Sequence, residues 1–195
     1  MCSWCWGFVP VLQDFLEKLP DEIQVKRLLG GLAPDSDAPM PAGMRQSIEV
    51  TWRRIQEAIP GTVFNYDFWK DCSPRRSTFP ACRAVIAARL QDAAFDARMN
   101  RAIQLAYYTQ ARNPSDDATL VELADELGLD TPAFAAALRS EPVQQQLLTE
   151  IELSRQLQAT SFPSLVLKTG ATEWRIPVDY NDSAPMLEMV AVLIK

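Results

Sequence analysis

The spacing of apolar residues predicts two helices and one strand in the first 60 positions. Apolar residues recur every three or four positions from Val11 onward, which predicts a helix from Ser3 to Leu19 that ends before Pro20. Residues 23–29 alternate apolar with polar side chains and then become apolar, which predicts a strand ending at two glycines. A second amphipathic helix is predicted from Ala42 to Ala58.

Helical patterns dominate the middle of the chain. The aromatic-rich residues 61–69 predict an extended segment whose rings pack in the core rather than bind substrate. The helices predicted after it cover 77–112, 119–127, 131–139 and 142–158. Because no strand pattern lies between these helices, they predict a compact helical subdomain.

The last third of the pattern returns to strands. Apolar residues 164–168, a turn at Thr169 and Gly170, and residues 173–177 predict a β-hairpin. A closing helix is predicted over 184–194. The order of elements therefore indicates an α/β protein with a helical insertion.

Composition and charge narrow the function. The 195 residues fit one domain, or one domain with an insertion, and the net charge of −6 without a basic run argues against nucleic acid as a partner. No apolar stretch approaches the roughly 20 residues of a membrane span. No signal-peptide pattern is visible, so we expect a cytoplasmic protein. The chain has no histidine, which excludes Cys-His, Ser-His and histidine-metal chemistry.

Two cysteines carry the chemistry. Cys2 and Cys5 stand two residues apart at the start of the first predicted helix. A helix N-terminus favours the thiolate form of a cysteine, and the thiolate is the nucleophile in disulfide exchange. Cys5, one turn further on, can close a disulfide with Cys2. No lysine or arginine is near in sequence, so we expect only a moderate lowering of the Cys2 pKa.

Three other interpretations of the cysteine pair remain open. A zinc site needs two more ligands, and the remaining cysteines, Cys72 and Cys82, do not form a second C-x-x-C pair. Cys2 and Cys5 are also compatible with inert core residues. A structural disulfide closing so short a loop would stabilise the fold little. We predict that Cys72 and Cys82 are not catalytic.

Three motifs resemble the DsbA-like thioredoxin superfamily in its cytosolic, FrnE-like branch. Cys-Ser-Trp-Cys-Trp-Gly-Phe at residues 2–8 looks like the family's active site, and Pro10 stands where the family kinks the active-site helix. Thr160–Leu167 resembles the loop in which the family keeps a cis-proline facing the dithiol. Arg76–Val85 is similar to the start of the family's helical insertion.

The resemblance implies a thioredoxin-like fold with an all-helical insertion subdomain. We expect residues 1–32 and 160–195 to form the thioredoxin-like domain, and residues 42–158 the mainly helical insertion. The family also carries a β-strand immediately before the dithiol. Only Met1 precedes Cys2, so either the sequence begins after this first strand or the protein lacks it, and of the two we expect a missing N-terminal segment.

The resemblance further implies thiol–disulfide exchange with protein thiols and disulfides. Cys2 and Cys5 are then catalytic, and Trp4, Phe162 and Pro163 contact the substrate. No cofactor is expected beyond the redox-active disulfide, although glutathione is a candidate redox partner, and no metal, nucleic acid or membrane is expected. The oligomeric state stays open.

Two alternatives belong to other classes of protein. Kappa-class glutathione transferases and hydroxychromene-carboxylate isomerases share this architecture, but they use a serine or the thiol of bound glutathione instead of a dithiol. A non-catalytic, chaperone-like peptide-binding module would use an aromatic rim of Trp4, Trp6 and Phe162.

Overall fold

The structure is a computed structural model that describes residues 1–194. The helices before residue 92 are α1 (Ser3–Gly7), α2 (Val9–Glu17), α3 (Ala42–Ala58), α4 (Phe68–Asp71) and α5 (Phe79–Gln91). Those that follow are α6 (Phe95–Thr109), α7 (Asp117–Glu126), α8 (Thr131–Leu138), α9 (Glu141–Gln156) and α10 (Ala184–Leu193). The strands are β1 (Leu165–Thr169) and β2 (Thr172–Ile176). The predicted helix at 42–58 and those from residue 119 onward are confirmed within two residues at each end.

The first predicted helix is interrupted. α1 ends at Gly7 and α2 begins at Val9, with Phe8 between them. Pro10 has no backbone N–H to donate to the carbonyl four residues earlier, so the helix cannot continue unbroken through this point. The helical prediction from Ser3 to Leu19 is thus met by two segments that end at Glu17, and their break lies near Pro10, where the resemblance implies a kink.

The predicted strand at 23–29 is also wrong. The segment has no regular secondary structure, and within residues 1–194 it pairs with no strand, because the described sheet contains β1 and β2 alone. Side chains hold it instead: Leu29 N–H donates to Glu150 at 2.9 Å, and Arg27 pairs with Asp96 at 3.0 Å. An alternating pattern predicts extended backbone, but a strand also needs a partner for its hydrogen bonds.

The long helix predicted over 77–112 divides into α5 and α6. Asp92 is extended, with φ −159° and ψ 134°, and its carboxylate accepts the N–H of Ala94 at 2.8 Å. An aspartate that bonds the backbone two residues ahead forms a local turn that competes with helix. The division into residues 1–32 plus 160–195 and an insertion at 42–158 stays a prediction, and Lys195 lies outside the described residues.

An aromatic cluster lies between α1 and the helices of the middle region. Trp52 of α3 is fully buried and stacks on Phe64, with ring centres 4.7 Å apart. Phe68 and Trp69 are also buried, which confirms the predicted core packing of these rings. The segment is not extended throughout, however, since residues 68–71 form α4.

The β-hairpin is confirmed, and its register positions the loops at its ends. β1 and β2 are antiparallel, from the pair Leu165 and Ile176 to the pair Thr169 and Thr172. Gly170, with φ +60°, makes the tight turn between them. Because Leu165 pairs with Ile176, the loop before β1 and the loop after β2 leave the hairpin at the same end.

Candidate active site

Cys2 lies immediately before α1. It is the N-cap residue, with φ −107° and ψ 119°, and its carbonyl accepts the N–H of Trp6 at 3.3 Å. Cys5 lies inside the first turn of the same helix. The backbone N–H groups of Trp4 and Cys5 hydrogen bond to the Cys2 sulfur, as expected for an anion at a helix N-terminus. All four cysteines are free thiols in this structure.

The two thiols of the pair differ strongly in acidity. A hydrogen bond from the Cys5 thiol, supported by the backbone N–H groups, lowers the pKa of Cys2 to about 6, although burial opposes the shift. The same hydrogen bond, together with burial, raises the pKa of Cys5 well above its usual value. At neutral pH, Cys2 is therefore the thiolate and Cys5 the protonated thiol. No lysine or arginine side chain contributes to the shift, which is larger than the moderate one expected.

The loop before β1 meets the dithiol. As a thiol, Cys2 donates from its sulfur to the carbonyl oxygen of Phe162 at 3.2 Å. The peptide bond between Phe162 and Pro163 is cis. The ring of Phe162 covers Gly30, where an added Cβ would lie 1.9 Å from ring atom Cε1. The fold therefore brings the backbone of Phe162 next to Cys2, although the two residues are distant in sequence.

The loop after β2 reaches the same site through aromatic rings. Trp4 is half-buried, and its ring lies against Tyr180 with ring centres 5.0 Å apart. Burial, and then the charges of Cys2 and Cys5, raise the pKa of Tyr180 to about 12. Sequence reasoning missed Tyr180. The predicted hairpin could have indicated it, because an antiparallel pair places the loop before β1 and the loop after β2 side by side.

The side chain of Ser3 faces the aromatic cluster. Its Oγ accepts the indole N–H of Trp52 at 2.9 Å, so a fully buried tryptophan of α3 fixes the first residue of α1. Trp6 is 8% exposed, and its indole N–H donates to the carbonyl of Val63 at 3.0 Å. Trp6 therefore cannot belong to an exposed aromatic rim, which corrects the peptide-binding alternative on this point.

The other two cysteines lie in different environments. Cys72 donates to the carbonyl of Ala111 at 2.9 Å, and burial raises its pKa. Burial also raises the pKa of Cys82. Neither sulfur is paired with a thiol that would activate it. Across residues 1–194, no group of three or more cysteine, aspartate or glutamate side chains comes together in a way that could hold a metal ion.

The sequence matches the family described as the DSBA-like thioredoxin domain over residues 1–184. The chain belongs to this family. Its thioredoxin-like fold with added helices agrees with the fold class predicted above. Membership in the DSBA-like family also identifies the fold as that of thiol–disulfide oxidoreductases.

Solved structures of similar proteins support this assignment. A candidate protein disulfide isomerase from Nitrosomonas europaea is 25% identical, with a TM-score of 0.83 over 100% of this chain and 93% of that one. The cytosolic disulfide reductase DsbM from Pseudomonas aeruginosa is also 25% identical, with a TM-score of 0.76 over 100% of this chain and 94% of that one. DsbM has also been solved with glutathione.

Curated relatives are more distant. The ClpXP adapter protein SpxH of Halalkalibacterium halodurans is 22% identical over 170 residues, which cover 85% of this chain and 55% of the relative. SpxH of Shouchella clausii is 22% identical over 177 residues, covering 89% and 56%. The chain thus spans just over half the length of these relatives. No helix within residues 1–194 is both long and apolar enough to cross a membrane.

Proposed function

We propose that this protein catalyses thiol–disulfide exchange with protein substrates, using Cys2 as the nucleophile and Cys5 as the resolving thiol. The main support is the split in acidity within the pair, since Cys2 has a pKa of about 6 while that of Cys5 is raised. A nucleophile must be ionised at working pH, and a resolving thiol must stay protonated until it is needed. Only Cys2 meets the first requirement.

The reaction moves two electrons from the dithiol to the substrate. The Cys2 thiolate attacks one sulfur of a substrate disulfide, the substrate S–S bond breaks, and the other substrate sulfur leaves as a thiolate that takes a proton from solvent. Cys5 then loses its proton and attacks the Cys2 sulfur of the mixed disulfide. This step forms the Cys2–Cys5 disulfide and releases the second substrate thiolate.

Substrate peptide would bind beside the loop before β1. The carbonyl of Phe162 lies 3.2 Å from the Cys2 sulfur, so a peptide whose cysteine is joined to Cys2 must run past this backbone. Backbone groups of Phe162 can then pair with an extended peptide, and Pro163 and Trp4 supply apolar contacts around it. These are the roles expected of the three residues from the sequence.

We propose that the protein acts as a reductase in the cytosol, with glutathione as the electron donor. The support is the similarity to DsbM, a cytosolic disulfide reductase solved with glutathione. Regeneration would consume two glutathione molecules. The thiolate of the first attacks Cys2, breaks the Cys2–Cys5 bond and releases the Cys5 thiolate, which takes a proton. The thiolate of the second attacks the glutathione sulfur of the mixed disulfide, which releases oxidised glutathione and the Cys2 thiolate. The dithiol is then restored.

Trapping of the mixed disulfide tests the proposed function. In Cys5→Ser, the covalent intermediate on Cys2 cannot be resolved, so it should accumulate when the reduced variant meets a disulfide-containing peptide. Mass mapping should find the peptide joined to Cys2. Cys2→Ser is the control, and it should neither trap the peptide nor reduce it. A trapped peptide on any other cysteine, or reduction by Cys2→Ser, would contradict the proposal.

The same two variants separate the other candidate functions. An adapter role, suggested by the names of the SpxH relatives, needs binding without turnover, so Cys2→Ser would retain it. A transferase or isomerase that uses the thiol of bound glutathione would also keep its activity in Cys2→Ser. A complete loss of function in Cys2→Ser with the fold intact supports the dithiol mechanism.

A further inference from the structure

Loop 177–183, which joins β2 to α10, is firmly anchored. The carboxylate of Asp179 accepts the backbone N–H groups of Asn181 at 2.8 Å and Asp182 at 3.0 Å. The hydroxyl of Ser183 donates to the carboxylate of Asp14, a residue of α2. Ser183 is buried, whereas the Asp14 side chain that it contacts is 46% exposed. The loop is therefore tied both internally and to the helix that follows the dithiol.

Tyr180 is the residue that this anchored loop presents to the dithiol helix. Its ring lies 5.0 Å from that of Trp4, tilted by 55°, and meets Phe8 edge-on at 5.7 Å. Trp4 is one of the two residues between the catalytic cysteines, so its backbone and that of Cys5 carry the N–H groups that bind the Cys2 sulfur. The backbone of Trp4 thus contacts the thiolate directly, while its side chain contacts Tyr180.

The residues on each side of Trp4 are held in place separately from its ring. Ser3 is fixed by Trp52 and Trp6 is buried, so the backbone on each side of Trp4 is held by the aromatic cluster. The indole of Trp4 itself is half-buried, and within the described residues its one close aromatic partner is Tyr180. The Trp4 side chain also packs against the aromatic cluster, and Tyr180 supplies its direct ring-to-ring contact on the side of loop 177–183.

We propose that Tyr180 is a positioning residue for peptide substrates: it holds the Trp4 ring beside Cys2, so that loop 177–183 and the Phe162–Pro163 loop form the two walls of the peptide-binding groove. This inference rests on the proposed function. The two loops leave the hairpin at the same end, since Leu165 pairs with Ile176. Trp4 contacts loop 177–183 through Tyr180. Cys2 contacts the Phe162–Pro163 loop through the carbonyl of Phe162.

The ring of Tyr180, rather than its hydroxyl, carries this role. The pKa of Tyr180 is raised to about 12, so the hydroxyl stays protonated at working pH and adds no negative charge near the Cys2 thiolate. Tyr180→Phe keeps the ring and should therefore keep peptide selectivity. Tyr180→Ala removes the ring and leaves Trp4 free to turn.

Selectivity between a peptide disulfide and a small disulfide tests the proposal. The measured quantity is kcat/KM for a disulfide-bonded peptide divided by kcat/KM for hydroxyethyl disulfide, which is too small to need the groove walls. Tyr180→Ala should lower this ratio at least fivefold, through a higher KM for the peptide. Tyr180→Phe should keep the ratio within twofold of the wild-type value. Tyr180→Leu fills the space against Phe8 and should lower the ratio as Tyr180→Ala does, which keeps the test valid if Tyr180→Ala does not fold.

Tyr66→Ala is the matched control. Tyr66 also packs on a tryptophan, with its ring centre 5.6 Å from that of Trp52, but its hydroxyl binds Gln56 and not the dithiol region. In Tyr66→Ala, the ratio of the two kcat/KM values should equal that of the wild type. If Tyr180→Leu lowers kcat/KM equally for the peptide disulfide and for hydroxyethyl disulfide, the positioning role is overturned. The proposed thiol–disulfide exchange would still stand. Absence of activity with both substrates in the wild-type protein would instead reject the proposed function itself.

Discussion

The sulfur of Cys2 lies 3.2 Å from the carbonyl oxygen of Phe162, a residue 160 positions later in the chain. As a thiol, Cys2 can donate its proton to this carbonyl. As a thiolate it has no proton to donate, and it accepts hydrogen bonds from Cys5 and from the backbone instead. The site thus offers partners to both protonation states, and the thiolate has more of them.

Removal of the Cys5 thiol should raise the pKa of Cys2. The hydrogen bond from Cys5 is the largest cause of the lowered value, so Cys5→Ala should move the pKa upward by at least about one unit. Cys5→Ser keeps a hydroxyl donor and should show a smaller rise. The pKa is measured from the pH dependence of thiolate absorbance at 240 nm. An unchanged value in Cys5→Ala would show that the helix N-terminus alone stabilises the thiolate.

Gly30→Ala should impair catalysis without unfolding the protein. The new Cβ would lie 1.9 Å from the ring of Phe162, so this ring must shift, and we expect the shift to disturb the loop whose carbonyl faces Cys2. We expect kcat/KM for a peptide disulfide to fall about tenfold, which corresponds to roughly 1.4 kcal/mol in transition-state free energy. In the control Gly43→Ala, the added Cβ meets nothing within 4 Å, and activity should not change. Equal activity in the two variants would argue against a role for the Phe162 loop.

Replacement of the two remaining cysteines should leave exchange activity intact. Cys72→Ser keeps a donor for the carbonyl of Ala111, and Cys82→Ala replaces a thiol whose pKa is raised by burial. The double variant should reduce insulin at the wild-type rate. A large loss of activity in a variant that retains its circular dichroism spectrum would reveal a second redox pair.

Glu150→Ala should strongly lower the free energy of unfolding. Glu150 accepts the N–H of Leu29 at 2.9 Å and pairs with Arg89, and its side chain is only 11% exposed. The substitution leaves a buried N–H without its acceptor and a partly buried guanidinium without one of its carboxylates, for a loss of about 3 kcal/mol. Chemical denaturation measures this quantity.

The control for this prediction lies two residues further along α9. Glu152 is 58% exposed, and its pairing with Arg155 spans 3.9 Å. Glu152→Ala should therefore cost less than about 0.5 kcal/mol. A similar small cost for Glu150→Ala would mean that Leu29 and Arg89 find other partners easily.

Local patterns were sufficient to predict α3 and the four helices from α7 onward, and to single out Cys2 and Cys5 as a candidate pair. Cys2 and Cys5 are recognisable because the spacing of the two residues and the helix start lie in one short stretch of sequence. The hairpin follows from two apolar runs around Gly170. The long apolar pattern does not predict the break at Asp92, because a few local hydrogen bonds decide it, among them those from the N–H groups of Ala94 and Phe95 to Asp92.

Features that depend on tertiary contacts could not be read from the sequence. The alternation at 23–29 predicts extended backbone, but it does not say whether another strand is there to pair with it. The acidity of Cys2 depends on the orientation of the Cys5 thiol, which spacing does not fix. The roles that we propose for Gly30 and Tyr180 depend on ring contacts between segments that are far apart in the chain.

The central claim is that Cys2 is a thiolate at neutral pH and reacts first. The most direct measurement is the rate of alkylation of the fully reduced protein by limiting iodoacetamide from pH 4 to 10, with the labelled cysteine identified by mass mapping. Because the pKa is lowered, the rate should rise through a midpoint at about pH 6 and level off above it, with the label on Cys2. A midpoint near pH 9, or preferential labelling of Cys5, would contradict the account.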